Sequence, residues 1–446
     1  MADRSIFQLG TNNWQRDGEF APGSGILHEA HHRAFDALPG VSSYSMYPSR
    51  VQRFDADDVR VFELDHDIPI CESVSPVSSY RWHAMSDADL ARYRRRLTTE
   101  VAAWMTEIET RTGNELSLAI AHHTFLNPVV LRDVIRDRAA AGRRPMPLVC
   151  FAHGTALKMY ANERAGHPEF PARFLPYMRD EGVFDLADGA GHVDLCAAIS
   201  SQQVEALLDV FPEFPRDRVV LSPNGYNQDV FTVSDATYDD RSEVLGRFAT
   251  VDGRPIDTDV DHVVVFCGKF ADWKRLDALL HAASGYEATG PRIATVIVGS
   301  GPRHDQERLR SLAYDELGLR RTYFVGPRAQ HELATIFNCA DVGCFPSRDE
   351  PFGLVFIECM ACGTPVIGAD SGGPRDFVTD AVGTLVPESD DIGQLATSLR
   401  VAITRALEED WKTARGRAAS VLARERFSVQ SQVSDLLDAV DDLQEG

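Results

Sequence analysis

A chain of 446 residues is longer than a single core usually supports, so two domains are expected. The composition, 44% apolar and 25% charged, is that of a soluble globular protein, and no run of eighteen apolar residues is present to span a bilayer. A net charge of −22 opposes nucleic acid and anionic membranes alike, so neither is expected as a partner.

The N-terminus, MADRSIFQLGTNNW, lacks the basic start and apolar stretch of a signal peptide, which predicts a cytoplasmic protein. Eight cysteines, several inside apolar runs such as VCFAHG and VGCFPS, read as core thiols in a reducing compartment. FAPGSGILHEA then gives a glycine-rich loop carrying Gly23 and Gly25. His28-Glu29-Ala30-His31-His32 satisfies H-E-x-x-H and puts His28 and His32 on one helical face, but no third ligand follows and no metal is predicted.

LSLAIAHH, PLVCFAHG, DLCAAIS and RVVLSPNG read as short buried strands. Ligands gather beyond the carboxyl ends of such strands, which makes His122, His123, His153 and Asn224 site candidates. By itself each histidine is as well explained by a backbone group it satisfies. The acidic, weakly periodic stretch from about 232 to 260 reads as a linker.

From residue 262 the pattern is regular. HVVVFCG, IATVIVGSG, RTYFVG, DVGCFPS and TPVIGAD read as buried parallel strands, alternating with the amphipathic stretches WKRLDALLHAA, HDQERLRSLAYDEL, QHELATIFNCA and FGLVFIECMAC. That alternation predicts an α/β, doubly wound sheet. RFSVQSQVSDLLDAVDDL, near the end, reads as a helix with an apolar face.

Within SRDEPFGLVFIECMACGTPVIGADSGGP, Glu350 precedes a helix and Glu358 lies about two turns into it. The amides of Phe352, Gly353 and Leu354 would open that helix and offer N–H groups to anionic oxygens. Two carboxylates framing such a site suit a ligand with hydroxyls at each end and phosphates between. Alone, two acidic residues near a helix start are ordinary. Lysine occurs only at 158, 269, 274 and 412, so Lys269 and Lys274, five apart in FCGKFADWKR, make a charged pair at a strand end that is hard to ascribe to solvation. Cys359-x-x-Cys362 has no second CxxC and reads as packing thiols.

The E-P-F-G-L-x-x-x-E string with M-A-C-G-T-P-V-I resembles the E-x7-E signature of retaining glycosyltransferase family four. FCGKFADWKR resembles that family's G-R-x4-K block, with Lys269 where arginine is usual; lysine keeps the charge but not the bidentate fork. CFAHGTA and LSPNGYNQDVF resemble two further blocks. The resemblance implies a GT-B fold: two Rossmann-like domains, 1–230 binding the acceptor and 231–425 the donor, face a deep cleft, with a helix over 426–446 packing back on the first. It implies that Glu350 and His153 position the transferred sugar and that Glu358 binds the ribose. Gly23, Gly25, Gly268, Lys269, Lys274, Phe352, Gly353 and Leu354 line the phosphates, with the base near Gly326, Pro327 and Arg328. His122, His123 and Asn224 fall on the acceptor side.

The implied reaction moves a sugar, with retention, from a UDP-, GDP- or ADP-linked donor to a small soluble acceptor. No cofactor or metal is expected, and a homodimer is compatible. Three alternatives share the architecture: a nucleotide-sugar 2-epimerase, a non-catalytic nucleotide-sugar binder, and a pyridoxal phosphate phosphorylase. The last needs a Schiff-base lysine, and in the far C-terminal region only Lys412 remains, in a helical surface setting.

Overall fold

The computed structural model describes residues 4–14, 23–49, 56–64, 86–154, 156–157, 160–161, 174–186, 192–234, 241–288 and 291–445. Cys71, Phe20 to Pro22 of the glycine-rich segment, Lys158 and Thr155 of the His-Gly-Thr block lie outside these residues. The chain forms two compact units, Met1–Pro223 with Val429–Gly446, and Asn224–Ser428. Asn224, read from the sequence with the first half, is the first residue of the second unit.

The first unit is built on a seven-stranded parallel sheet in the order β3-β2-β1-β4-β5-β6-β7. The strands are β1 (Arg4–Leu9), β2 (Val41–Ser49), β3 (Val59–Glu63), β4 (Leu118–His122), β5 (Leu148–Ala152), β6 (Leu195–Ala198) and β7 (Val219–Leu221). Successive side chains on a strand alternate between its faces, and each face has its own core. Phe7, Leu9, Ala119, Ala121, Leu148 and Cys150 pack with Leu97, Val101 and Trp104 of the helix Asp87–Thr112. Ile6, Leu118, Ile120, Val149 and Phe151 pack on the other side with Val433, Leu436 and Leu437 of the helix Val429–Glu445. That C-terminal helix also touches the helix Gly23–Asp36, where His31 Nε2 meets Gln432 Oε1 at 2.8 Å.

The second unit has a six-stranded parallel sheet, order β10-β9-β8-β11-β12-β13. Its strands are β8 (His262–Cys267), β9 (Ile293–Val298), β10 (Thr322–Gly326), β11 (Val342–Phe345), β12 (Val366–Ala369) and β13 (Gly383–Val386). The five apolar runs expected as strands are β8 to β12; β13, short and half-polar, was not foreseen. All pairings in both sheets are parallel. Chain order reverses at β1/β4 in one sheet and at β8/β11 in the other, and such switch points are where open parallel sheets bind ligands.

No helix among the described residues is long and apolar enough to cross a membrane. The seven described cysteines are unpaired thiols, six of them fully buried.

Candidate functional site

At the second unit's switch point, β8 is followed by Gly268 and a short 3-10 turn, Asp272–Lys274; β11 is followed by the loop carrying Glu350. The two loops are tied by the Arg348 amide, which donates to the Trp273 carbonyl at 2.7 Å. That bond brings Lys274 Nζ to 2.5 Å from Glu350 Oε2. The pair is largely shielded, with side chains 12% and 10% exposed. The ammonium also sits 4.1 Å from the centre of the Trp273 ring, a cation–π contact that fixes its approach.

Glu350 is clamped from behind. Its carbonyl accepts from Gly373 N at 2.8 Å, and Asp349 N donates to Ser371 Oγ at 2.8 Å. A Cβ on Gly372, which has φ +75°, would stand 2.3 Å from the Glu350 carbonyl oxygen, so only glycine admits this approach.

The helix Leu354–Ala361 begins at Gly353, φ +96°, where a Cβ would meet the Phe356 ring at 2.8 Å. No side chain caps this terminus; Phe356 N and Ile357 N donate to the Gly353 carbonyl, and the amides before them are left for a ligand, beside Glu350 in sequence. Phe352 itself is core, its ring 5.8 Å from Phe427. Four residues inside the helix, Glu358 is enclosed on most sides by protein, and this desolvation raises its carboxyl to about 8. Where it holds a proton, such a carboxyl can both donate and accept. Burial, with Glu358 nearby, pushes the Cys267 thiol up to about 12. Gly268 has room for a Cβ, which would make only ordinary contacts with a Phe266 ring atom at 3.5 Å and Lys274 Cδ at 3.8 Å. Lys269 is half-buried directly after it.

In the first unit, the ends of β4 and β5 gather histidines. His122 and His153 are stacked, centroids 5.2 Å apart and planes within 5°. Their rings form one bonded row: Gln8 Nε2 donates to Ser43 Oγ at 2.8 Å, so Gln8 Oε1 faces His122 Nε2 at 3.2 Å, and His122 Nδ1 faces His153 Nε2 at 3.0 Å. A neutral His122 that donates from Nε2 accepts at Nδ1. His153 then donates from Nε2 and keeps a lone pair on Nδ1. Burial lowers both rings well below the usual imidazole value, helped by the surrounding histidines. His123, at φ +72°, is buried with neither ring nitrogen bonded, and burial alone takes it to about 4.

The H-E-x-x-H residues have separate structural partners. His28 Nδ1 accepts from Trp14 Nε1 at 3.0 Å, His31 bonds Gln432, and His32 lies between Ser45 and Asp58. Among the described residues no group of three or more His, Cys, Asp or Glu is placed to hold a metal. A Cβ on Gly25 would stand 2.0 Å from the Asn13 carbonyl oxygen, so that glycine serves the packing of the helix start on the chain after β1. Gly23 opens the same helix. Asn224 is buried with its Oδ1 unbonded.

Residues 256–416, spanning all of this switch-point geometry, match the family model described as glycosyl transferases group 1. These residues belong to the group 1 glycosyl transferases. The chain is 32% identical over 311 residues to the D-inositol 3-phosphate glycosyltransferase of Stackebrandtia nassauensis, covering 68% of this chain and 64% of that protein. The protein of the same name from Mycolicibacterium smegmatis is 32% identical over 268 residues, covering 60% of this chain and 56% of the relative. The matches thus span less than two thirds of these relatives.

Among solved structures, sucrose-phosphate synthase from Thermosynechococcus elongatus aligns over 99% of both chains with a TM-score of 0.68 at 20% identity. HepE of Anabaena in complex with UDP-glucose aligns over 98% of this chain and 99% of that one, with a TM-score of 0.64 at 18% identity. With its two parallel sheets, the fold is GT-B.

Several residues that shape the group 1 domain's site went unread in the sequence. Ser371, Gly372 and Gly373 stand in the quoted ADSGGP run, yet their hold on Glu350 spans two loops. Trp273 was quoted without a role. Lys412 is only partly exposed: its Nζ donates to Thr364 Oγ1 at 2.5 Å and to the Asn338 carbonyl at 3.1 Å, and burial lowers its pKa. A lysine bound this way is a structural tie between helices and is poorly placed to form a Schiff base.

Proposed function

We propose that this protein is a retaining glycosyltransferase that moves a sugar from a nucleotide diphosphate sugar to a small, soluble, hydroxylated acceptor. The observation that carries the reading is the shielded Lys274–Glu350 pair beside an uncapped, glycine-started helix. A cation and a row of amides stabilise a diphosphate, and a carboxylate next to them accepts hydrogen bonds from the sugar. The relatives are named for D-inositol 3-phosphate, and a structural neighbour holds UDP-glucose, which supports a nucleotide-sugar donor and makes a phosphorylated polyol the first acceptor to try.

In this mechanism the bond from the sugar's anomeric carbon to the diphosphate oxygen breaks, and its electron pair leaves with the diphosphate. The acceptor hydroxyl oxygen bonds the same face of that carbon, and its proton passes to the departing phosphate oxygen. Lys274 and the amides of Phe352, Gly353 and Leu354 take up the charge growing on the leaving group, while Lys269 and Gly268 border it. Glu350 orients the sugar, and Glu358 binds the ribose. In the first unit, His153 Nδ1 keeps a lone pair that can accept from a substrate hydroxyl, with His122 stacked against its ring. No cofactor or metal takes part.

A thermal-shift screen of UDP, GDP, ADP and their sugars tests the donor assignment. One nucleotide series should raise the melting temperature with concentration, as ligand binding to the native state requires. No shift with any of them at millimolar concentration would sink it.

A further inference from the structure

The carboxyl ends of β8, β9 and β10 each turn on a glycine: Gly268, Gly299 and Gly326. Gly268 N donates to the Val298 carbonyl at 3.1 Å and Gly299 N to the Gly326 carbonyl at 3.0 Å, so the three turns form one rim. Gly299 and Gly326 have φ of +129° and +75°. A Cβ on Gly299 would lie 1.9 Å from the Gly268 carbonyl oxygen. The rim is therefore a strip of bare backbone. With neighbouring strands about 4.8 Å apart, it runs about 10 Å from Gly268, beside Lys274, to Gly326. That span is comparable to the separation of diphosphate and base in a nucleotide.

The strip ends against a hairpin. Ala249 pairs antiparallel with Pro255, and the turn closes through Gly253 N on the Thr250 carbonyl at 3.1 Å. Thr250 Oγ1 donates to the Arg254 carbonyl at 2.6 Å, and Arg254 Nε holds Asp252 at 3.0 Å. The hairpin is anchored on β10 by Val251 N to the Phe324 carbonyl at 2.8 Å and by Arg254 Nη2 to the Thr322 carbonyl at 3.0 Å. The Arg254 guanidinium also lies 4.1 Å from the centre of the Tyr314 ring.

Part of its task is plain: β10 is a sheet edge, and a covered edge cannot pair with another chain. Two features exceed that task. Val251 Cγ1 lies 3.2 Å from where a Cβ on Gly326 would stand, yet the valine is 46% exposed. It presents an apolar face over the last bare turn of the rim. Beside it, Arg328 is held to the hairpin by Nη2 on the Ala249 carbonyl at 3.0 Å and by its guanidinium 5.4 Å over Phe248, while its buried Nε has no partner. An apolar face next to a fixed donor at the end of a side-chain-free strip fits a flat heteroaromatic ring.

We propose that the hairpin from Phe248 to Arg254 is the wall on which the donor's nucleobase packs, Val251 giving the apolar contact and hairpin-held Arg328 the polar one. The inference rests on the nucleotide-sugar reading and adds to it a base-selecting element. Arginine only donates, so it favours a base edge that presents carbonyl acceptors, as uracil and guanine do, over adenine, whose ring-nitrogen acceptors lie beside a donating amino group.

Isothermal titration of wild type, Val251→Ser and Arg328→Ala with UDP, GDP, ADP and inorganic pyrophosphate tests it. Val251→Ser, at a half-exposed site, should keep the wild-type melting temperature. It should weaken the preferred nucleoside diphosphate about fivefold and leave pyrophosphate within about twofold. Arg328→Ala should shrink the preference for UDP or GDP over ADP. If Val251→Ser weakens pyrophosphate as much as nucleotide, or neither, or if Arg328→Ala leaves the base preference unchanged, the hairpin is an edge cover only. If wild type binds no nucleoside diphosphate, the nucleotide-sugar reading fails and the base wall fails with it.

Discussion

Lys274 and Glu350 stand 76 residues apart in sequence and meet at 2.5 Å because two loops leave adjacent strands at a switch point. Neither charge is well solvated, so each depends on the other. Truncating one partner leaves a shielded charge unpaired, which costs about 3 kcal/mol, whereas removing both charges costs less. Lys274→Ala should therefore lower the urea midpoint clearly, and Lys274→Ala with Glu350→Ala should recover much of the loss. A double variant no more stable than the single one would show that the pair is not coupled. At this scale the sequence was partly legible. Glu350, Gly353 and Lys274 could be read because each sits in a short contiguous string whose chemistry is local. The clamp of Ser371, Gly372 and Gly373 could not, because its contact is with a loop more than twenty residues away and glycine carries no chemical signal of what it approaches.

Among the elements, the strands that end in histidine and the helix Gly23–Asp36 enclose six imidazoles, His32 among them, in or beside apolar packing, with His28 4.4 Å from His122 and His31 4.8 Å from Phe151 between ring centres. Burial takes His31 and His123 down to about 4 and lowers His28, His122 and His153 well below the usual imidazole value. In the unfolded chain these groups titrate near 6.5, so between 6.5 and 4 the unfolded state binds more protons than the folded one. The stability that neutral burial provides is intact above 6.5 and is lost as pH falls toward 4. Each such histidine contributes up to about 1.4 kcal/mol per pH unit of that interval. Urea midpoints followed by tryptophan emission, with Trp14 and Trp104 in this unit, should drop steeply from pH 7 to pH 5, and His123→Phe should flatten the drop. A pH-independent midpoint would mean that these rings stay hydrated. Long apolar runs made β4, β5 and β8 to β12 readable. The first unit's β2 and β3 and the second unit's β13 were missed because VSSYSMYPS, VRVFE and GTLV mix polar with apolar residues and owe their strand state to the neighbours they pair with.

For the molecule as a whole, two parallel sheets of seven and six strands and a group 1 domain over residues 256–416 set the frame for the proposed donor site. The doubly wound α/β character of the second half was legible from alternation, since strands and helices of these lengths have few other ways to bury themselves, whereas the GT-B class came from the family resemblance of the strings around Glu350 and Lys274. The substrates were not, because base, sugar and acceptor are read by a few side chains brought together from distant loops. The central claim is that Glu350, set by Lys274, reads the sugar of a nucleotide sugar. Isothermal titration of wild type and Glu350→Ala with one nucleotide sugar and its bare nucleoside diphosphate tests this most directly, with no acceptor needed. The account predicts that Glu350→Ala lowers the affinity for the nucleotide sugar about tenfold or more relative to the bare diphosphate, as loss of a charge-assisted hydrogen bond to the sugar requires. An unchanged ratio of the two affinities would contradict it.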